Sequence, residues 1–399
     1  MKKNKLLIGG IILSLSASTS LFATNGDTMI GVGAKTRAMG GAGIAFSHGA
    51  ESTLVNPALI THVPDTEISF GGTIFMPTVK TRIKGNGGGG PFDSGEVKSD
   101  ADISMIPAVA IASQIRDNLY LGAGMWGTAG MGTDFRGNKT LMDMETTLQL
   151  MQFAMPVAYK MQGLSIGIAP IIQYGSLDIH YFNPFTMSNV GDGQHQDFGF
   201  GASIGTTYDF GNGLSIGAMY KSKIKMDYGD ALRIAAAPFG IAVGNNLDQP
   251  AEFGIGLGWR SGPHGVAIDW KRIQWGHAAG YKEFGWDDQD VFAVGYQYDA
   301  GTWALRVGYN HGKMPIQLSG GTNPARDMFN LLGFPATVED HITFGGSYVF
   351  NKNFSTDFTV VYALDKKTKE DISAMFGPGA QISNYHHQLG LTVQLNYKF

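Results

Sequence analysis

The last eleven residues of the chain alternate strictly between apolar and polar side chains. The odd positions over 389–399 carry Leu, Leu, Val, Leu, Tyr and Phe, and the even positions carry Gly, Thr, Gln, Asn and Lys. Successive side chains of a β-strand point to opposite faces, so this segment has one apolar face and one polar face. Its length matches the roughly 9–11 residues that a tilted strand needs to cross a bilayer. The pattern therefore predicts a membrane-spanning β-strand.

The amino terminus predicts export from the cytoplasm. Lys2, Lys3 and Lys5 precede an apolar run over 6–15 and a small polar stretch over 16–20. This order is typical of a secretory signal peptide, which we place at residues 1–23 with cleavage after Ala23. No other apolar run is long enough for a spanning helix, and a closed barrel is the other structure that satisfies the backbone in lipid.

Composition agrees with a barrel and argues against several other classes. Charged residues make up 16% of the chain and 57 of its 399 residues are Gly, whereas soluble proteins have about 25% charged residues and about 7% Gly. The chain has no Cys, which excludes disulfides and thiolate chemistry. A net charge of -4 gives no indication of a nucleic-acid partner.

The same alternation recurs in thirteen earlier segments. Short turns with Gly, Asn or Asp separate some of them, as at 161–163, 211–213 and 351–353, and long loops separate the others, as at 80–101, 229–250 and 310–338. An even strand number with short turns at one end and long loops at the other is typical of outer-membrane barrels. We predict an all-β fold, a 14-stranded antiparallel transmembrane β-barrel over residues 67–399. A soluble all-β protein would share the alternation, but the signal peptide and the loop asymmetry oppose it.

Charged residues lie opposite the apolar stripe of several predicted strands. In the seventh strand Ile224, Met226 and Tyr228 extend the apolar stripe, and Lys221, Lys223, Lys225 and Asp227 alternate with them. We therefore expect this charged row to point inward and to form ion pairs that fill the lumen.

Residues 24–66 do not have the pattern of a strand. Small residues dominate the first half, including Gly40 and Gly41, and Asn56-Pro57 indicates a turn or the start of a helix. Small residues let a backbone pack closely against a curved wall. This segment therefore predicts an N-terminal hatch, a plug inside the lumen.

The hatch segment carries the most specific resemblance. Its small residues, the acidic-polar stretch that follows, and Asn56-Pro57-Ala-Leu-Ile-Thr resemble the N-terminal hatch of the FadL/TodX family, the outer-membrane transporters of long-chain fatty acids and aromatic hydrocarbons. The similarity extends over the whole mature chain. It implies a hydrophobic small-molecule ligand that is captured in a loop groove, transferred to a lumen pocket, released by a hatch rearrangement and discharged sideways at a kinked third strand. It also implies passive uptake and a monomer.

Two loops and five inward positions are candidates for ligand contact. The loops are unusually apolar for an extracellular surface, which typically marks binding or packing over the barrel mouth. The loop candidates are Leu232, Ile234, Pro238, Phe239, Ile241, Val243, Phe329, Leu331, Leu332 and Phe334. The pocket candidates lie opposite the outward stripes of their strands and are Phe75, Leu148, Leu150, Ile273 and Trp275.

The third strand and three basic residues complete the candidate site. Repeated Gly in a strand indicates a bulge or bend, so Gly122, Gly124, Gly127 and Gly130 predict the lateral gate. Fatty-acid transporters of this family place basic residues near the ligand carboxylate. The candidates for that role are His180, Lys282 and Lys221, and a neutral hydrocarbon ligand stays open.

Two other functions stay open from the sequence. A diffusive porin for small solutes would lack the hatch, and a surface adhesin would use the long loops. We predict no enzyme, no cofactor and no metal, because the His, Ser and acidic residues are scattered and form no local motif. The predicted surroundings are the lipid bilayer and lipopolysaccharide of a Gram-negative outer membrane. The ending at Phe399 resembles the signal that the barrel assembly machinery reads.

Overall fold

Fourteen strands form one closed antiparallel sheet. A computed structural model describes residues 24–87 and 90–399, and the predicted signal peptide at 1–23 lies outside the described residues. The strands are β1 Thr66–Gly87, β2 Ser104–Arg116, β3 Leu119–Asp134, β4 in two pieces (Glu145–Ala154 and Val157–Met161), β5 Leu164–Asn183, β6 His195–Asp209, β7 Leu214–Lys221, β8 Glu252–Ser261, β9 His264–Ile273, β10 Gln289–Asp299, β11 Trp303–Gly312, β12 Asp340–Val349, β13 Phe354–Asp371 and β14 Gln381–Lys398.

The last strand closes the barrel. β14 pairs antiparallel with β13 on one side and with β1 on the other, where Gly390 lies opposite Phe75. The Phe399 amide then donates to the Thr66 carbonyl at 3.0 Å. A closed sheet has no free edge, which is what the hydrocarbon core of a membrane demands. The predicted fold class, a 14-stranded antiparallel β-barrel, is confirmed.

The two faces of the wall have opposite polarity. Outward side chains such as Phe70, Phe200 and Val393 are 62%, 72% and 58% exposed, whereas the inward Gln394 and Asn396 are buried. The alternation of β14 therefore places its apolar face toward lipid, as predicted. The first strand begins at Thr66, one residue before the predicted start of the barrel.

The connections are short at one end of the barrel and long at the other. The helices are α1 Ala34–Ala38, α2 Ala231–Ala236, α3 Pro324–Gly333 and α4 Ser373–Phe376, with 3-10 helices at Gly49–Leu54, Pro57–His62, Lys139–Leu141, Ala237–Phe239 and Trp275–His277. Short strands lie at Thr24–Asn25, Thr28–Met29, Gly90–Asp93, Val97–Lys98 and Ser188–Val190. Among the helices of the described residues, none has the length and apolar character needed to cross a membrane.

The prediction for the end of the seventh strand is wrong. Regular pairing of β7 stops at Lys221, and single bridges follow at Ile224 and Asp227. Across this irregularity the faces exchange, so Ile224, Met226 and Tyr228 are buried, and Lys223, Lys225 and Asp227 are exposed. A shift of one residue moves every later side chain to the other face of a sheet. Alternation persists on both sides of the irregularity, so the sequence pattern does not reveal it.

Candidate functional site

The N-terminal segment before β1 is buried and hydrogen-bonds to the inner wall. On the wall, the Thr359 hydroxyl donates to the Ala34 carbonyl at 2.6 Å and the Thr343 hydroxyl donates to the Ala38 carbonyl at 2.9 Å. The Gln394 side-chain oxygen accepts from the Ala34 amide at 3.1 Å. These bonds satisfy both ends of α1, which is too short to be stable alone, and fix it against β12, β13 and β14.

Two polar side chains hold the centre of the segment. Asp269 on β9 accepts from the amides of Gly43 at 2.7 Å and Ile44 at 2.9 Å. Asn56 donates to the Ile44 carbonyl at 2.7 Å. Its side-chain oxygen accepts from the Ala58 amide in the first turn of the 3-10 helix Pro57–His62, so Asn56 caps a helix at the start that the sequence indicated. The amides of Gly43 and Ile44 and the Ile44 carbonyl thus have the partners that buried polar groups require.

Glycine permits the close approach of segment and wall. Gly40 and Gly41 have φ angles of 69° and 86°, which favour glycine. A Cβ on Gly40 would lie 2.6 Å from the Tyr309 carbonyl oxygen. On the wall, a Cβ on Gly205 would overlap the Asn56 side-chain oxygen. The small-residue composition of the segment therefore has a direct steric cause.

The third strand bends where the sequence places its glycines. Gly122 and Gly124 lie in the half of β3 that pairs with β2, and a bulge lies between Gly127 and Ala129 in the pairing with β4. Gly130 lies beyond the bulge. Bulges kink a strand and increase its twist, so the predicted bend of the third strand is present.

The pairing of β2 with β3 ends below the bend. The last paired residues are Ala108 and Trp126, while β3 continues to pair with β4 as far as Asp134. Over that stretch the N-terminal segment takes the place of β2, because Thr28 bridges Ala129 and the Gly130 amide donates to the Asp27 carbonyl at 3.1 Å. Within the described residues, β2 and β3 therefore have a gap in their pairing between Ala108–Trp126 and the bond that the Asp100 amide donates to the Asp134 carbonyl at 2.9 Å. The N-terminal segment borders this gap, which we call the opening between β2 and β3.

Apolar side chains fill the half of the lumen beneath the long loops. The five inward pocket candidates, Phe75, Leu148, Leu150, Ile273 and Trp275, are all buried. Most loop candidates join them in one continuous cluster, namely Leu232, Phe239, Ile241, Val243, Phe329, Leu331, Leu332 and Phe334. Ile234 is half-buried and Pro238 is exposed. These loops therefore pack over the barrel mouth, which is one of the two predicted alternatives. They do not form an exposed apolar groove.

Aromatic contacts join the two loops into one lid. The ring centroids of Phe239 and Phe329 lie 5.1 Å apart, and those of Phe284 and Phe329 are also 5.1 Å apart. Tyr181 of β5 contacts Phe239 at 5.4 Å. These separations fall in the favourable range for aromatic pairs. We call this cluster the aromatic lid.

One carboxyl connects the lid side of the barrel to the N-terminal segment. Asp27 is fully buried and accepts a hydrogen bond from the Tyr281 hydroxyl. Burial raises the pKa of Asp27 to about 6, although the bonds from Tyr281 and Gln249 act in the other direction. Since its backbone also bonds to β3, Asp27 links a loop, the segment and the wall opening.

The opposite end of the lumen is polar. A cavity of about 510 Å3 lies between the segment and the ends of the strands with short turns. Lys35 lies 3.8 Å from Glu67 and 3.7 Å from Asp357, and Arg306 lies 3.9 Å from Asp357. The inward charges therefore pair with one another, as the sequence indicated.

Comparisons with known proteins decide the family. Residues 10–261 match the model of the family described as outer membrane protein transport protein (OMPP1/FadL/TodX). The chain belongs to this family. Its barrel is therefore an outer-membrane barrel of a family of transport proteins, which are not enzymes. Its short turns face the periplasm.

Solved structures of the family share the fold. TodX, the toluene transporter of P. putida, has a TM-score of 0.68 at 20% identity, with 92% of this chain and 99% of TodX covered. A FadL homologue of Pseudomonas aeruginosa has a TM-score of 0.74 at 15% identity, with 94% and 100% covered. The Ralstonia pickettii toluene transporter TbuX has a TM-score of 0.63 at 18% identity, with 92% and 99% covered. At these identities the likeness extends to the fold alone.

The description of one curated relative gives no activity. It is a Chlorobium limicola protein described as an uncharacterized protein in the phosphoenolpyruvate carboxykinase gene 5' region, 30% identical over 116 residues. The match covers 29% of this chain and 52% of that protein, so the chain spans about half the length of the curated relative it matches.

None of the three predicted basic partners of a carboxylate is an unpaired charge beside the buried apolar cluster. His180 lies on the outer side of β5, with its Nε2 2.7 Å from a carboxylate oxygen of Glu145. Lys282 is exposed and pairs with Glu283 at 3.4 Å. Lys221 faces the lumen but is bonded to Glu252. His180 was a candidate because of its position near the end of the fifth strand. The alternation of side chains along that strand turns its ring outward.

Proposed function

We propose that this FadL/TodX-family protein carries hydrophobic molecules passively across the outer membrane. The ligand enters at the aromatic lid, occupies the lumen pocket beneath it, and leaves sideways through the opening between β2 and β3. The observation that carries the proposal is the end of β2–β3 pairing at Ala108 and Trp126 beside a buried apolar cluster. An apolar solute gains roughly 0.8 kcal/mol for each methylene it buries, so such a route can hold a chain that water rejects.

The N-terminal segment acts as the hatch in this proposal. Residues 24–66 close the lumen, Gly40 and Gly41 permit their contact with the wall, and Asn56 and Pro57 anchor their second half. Gly122, Gly124, Gly127 and Gly130 give β3 the flexibility that a lateral gate needs. Ligand in the pocket displaces Asp27 and Thr28 from β3, which widens the opening.

The surroundings of the protein follow from the same proposal. The barrel works as a monomer in the bilayer, with lipopolysaccharide around its outer half. The barrel assembly machinery inserts it through the C-terminal strand that ends in Phe399. β14 supports this role, since it closes the barrel against β1.

A disulfide across the opening tests the lateral route. A Cβ built on Gly127 would lie 3.7 Å from the Ile106 Cβ, which matches disulfide geometry, and the chain has no Cys of its own. We expect Ile106→Cys/Gly127→Cys, when oxidised, to reduce uptake of labelled oleate or toluene by cells about tenfold, with recovery after reduction. The control pair Val307→Cys/Phe344→Cys joins residues that already face each other on β11 and β12.

The outcomes separate the proposed transporter from a porin. A loss of uptake specific to the oxidised Ile106/Gly127 pair supports the lateral route. Unchanged uptake in that variant contradicts it. Liposome swelling with small sugars, insensitive to the disulfide, would favour diffusion along the barrel axis.

A further inference from the structure

A group of cations lies on the outer surface of the barrel, at the end that carries the long loops. The strands β13, β14 and β1 extend past the apolar band of the wall toward those loops. The cations on their outward faces are Lys80, Arg82 and Lys84 of β1 and Lys367 and Lys369 of β13. Their neighbours Thr81, Ile83 and Thr368 are buried, so the alternation of the strands places the cations outside. We call these five residues the basic patch.

The strand register arranges the basic patch as two columns with a polar column between them. Lys367 of β13 lies opposite Tyr385 of β14, which in turn lies opposite Lys80 of β1. The residues of the next row are aligned in the same way and are Lys369, Ser383 and Arg82. Neighbouring strands are about 4.8 Å apart, so the two basic columns lie about 10 Å apart. Long basic side chains can therefore reach one group above β14 from both sides.

The basic patch begins where the lipid-facing band ends. The outward side chains of β14 are apolar over 389–399 and carry polar atoms over 381–387. On β13 the outward face changes from apolar to basic between Leu364 and Lys367. Ten strand residues tilted by about 40° climb about 25 Å, which is the height of the apolar band in such barrels. The basic patch therefore lies at the level of the head groups in the outer leaflet.

Three cations of the basic patch form no ion pair. Lys80 lies 2.8 Å from Glu96, and Arg82 is bonded to Asp93. Within residues 24–87 and 90–399, the remaining members have no carboxylate within 4 Å, and they are Lys84, Lys367 and Lys369. The side chains of Glu96 and Asp93 are 53% and 42% exposed. Ion pairs between such exposed groups contribute little stability, so a doubly charged phosphate can compete with these two carboxylates.

The carboxylates at the edges of the basic patch have partners outside it. Asp365 lies 3.1 Å from the His387 ring. Asp371 accepts from the Ser373 amide at 2.8 Å. Neither carboxylate is bonded to a lysine of the patch, so the unpaired ammonium groups stay available to an anion.

We infer that the basic patch binds the phosphorylated head group of lipopolysaccharide in the outer leaflet. One phosphate lies over β14 and accepts from Lys369 on one side and from Arg82 on the other, as basic side chains typically bind phosphate. The acyl chains of the same molecule extend along the apolar outward face of β14. This continuity of basic patch and apolar band favours a glycolipid over inorganic phosphate. The inference concerns the outer wall, so it goes beyond the proposed function and does not depend on the transported ligand.

Titration of the purified barrel with lipid A, followed by native mass spectrometry in EDTA, tests the inference. We expect the wild type to bind bisphosphorylated lipid A at least about tenfold more tightly than dephosphorylated lipid A. The variant Lys84→Gln/Lys367→Gln/Lys369→Gln should bind both forms equally. The matched control Lys223→Gln/Lys225→Gln/Lys282→Gln loses the same charge from exposed positions elsewhere on the barrel, since Lys223 and Lys225 follow β7. It should keep the wild-type preference.

The outcomes decide the inference separately from transport. Equal binding of the two lipid A forms by the wild type, or equal losses in the variant and the control, overturns it. Displacement of lipid A by inorganic phosphate at an equal concentration also overturns it, because the site would then recognise phosphate alone. Uptake of oleate or toluene should be the same in the variant and the wild type, so failure of this inference leaves the proposed function intact.

A measurement on the wild type covers the case of a variant that does not fold. Acetylation of lysines with and without bisphosphorylated lipid A reports which ammonium groups the lipid covers. We expect lipid A to protect Lys84, Lys367 and Lys369 and to leave Lys225 reactive. Equal protection of all four lysines contradicts a site on β13, β14 and β1.

Discussion

The two halves of the lumen are stabilised by different kinds of interaction. Toward the periplasm, hydrogen bonds with defined partners hold the N-terminal segment, such as those that the amides of Gly43 and Ile44 donate to Asp269. Toward the long loops, the aromatic lid and the pocket are held by apolar contact, as between Phe239 and Phe329. Hydrogen bonds are directional and costly to leave unmade, whereas apolar contact is non-directional.

This difference suits a barrel that must admit apolar ligands and yet stay closed. A hydrophobic ligand can replace one apolar neighbour by another at little cost, so the lid can exchange its own contacts for the ligand. A hydrophobic ligand has no hydrogen-bond acceptor to replace the one that a buried amide loses. Under the proposed function, the polar half keeps its register while the apolar half opens, and Asp27 lies at the junction between them.

Removing a ring from the aromatic lid should produce the largest loss of stability. Phe329 is fully buried, and Phe329→Ala should lower the free energy of unfolding by about 3–5 kcal/mol. Urea unfolding followed by Trp fluorescence measures this change. Phe185→Ala is the control, because Phe185 is an exposed loop residue. Planar-bilayer conductance of Phe329→Ala should stay at the wild-type level, and a leak would show that the lid, not the hatch, seals the lumen.

Removing an acceptor from the polar half should cost less stability but open a leak. Asp269→Ala leaves two buried amides without an acceptor, which should lower the free energy of unfolding by about 2–4 kcal/mol. Ion conductance in planar bilayers should rise as the segment loosens. Asp269→Asn keeps one oxygen and should give a smaller effect on both measurements. A closed channel in Asp269→Ala would mean that apolar contact alone holds the segment.

A single methyl group on the wall should displace the segment from its site. A Cβ on Gly205 would overlap the Asn56 oxygen, so Gly205→Ala should destabilise the protein by about 1–3 kcal/mol. Limited trypsin digestion should then cleave at Lys35 or Arg37 faster than in the wild type. Gly244→Ala is the control, since a Cβ there meets no atom within 4 Å. Equal cleavage rates in the two variants would contradict a tight fit at Gly205.

The comparison also explains what the sequence could and could not reveal. Lipid on one side and polar lumen on the other impose a period of two, so the fourteen strands and the faces of β14 were predictable. The exchange of faces after Lys221 keeps the same period and was not. Apolar composition identified the loop around Phe239 but does not distinguish an exposed groove from a packed lid.

The junction residue Asp27 should make stability depend on pH. Its pKa is raised from 3.8 to about 6, so the folded protein holds this proton more tightly than the unfolded chain. The resulting stabilisation is fully present below pH 3.8 and is lost as the pH rises through 6. From pH 7 to pH 5 the wild type should gain about 1 kcal/mol from this group, and Asp27→Asn should lack that gain. Urea midpoints at both pH values measure the difference, and parallel shifts in the two proteins would place the titrating group elsewhere.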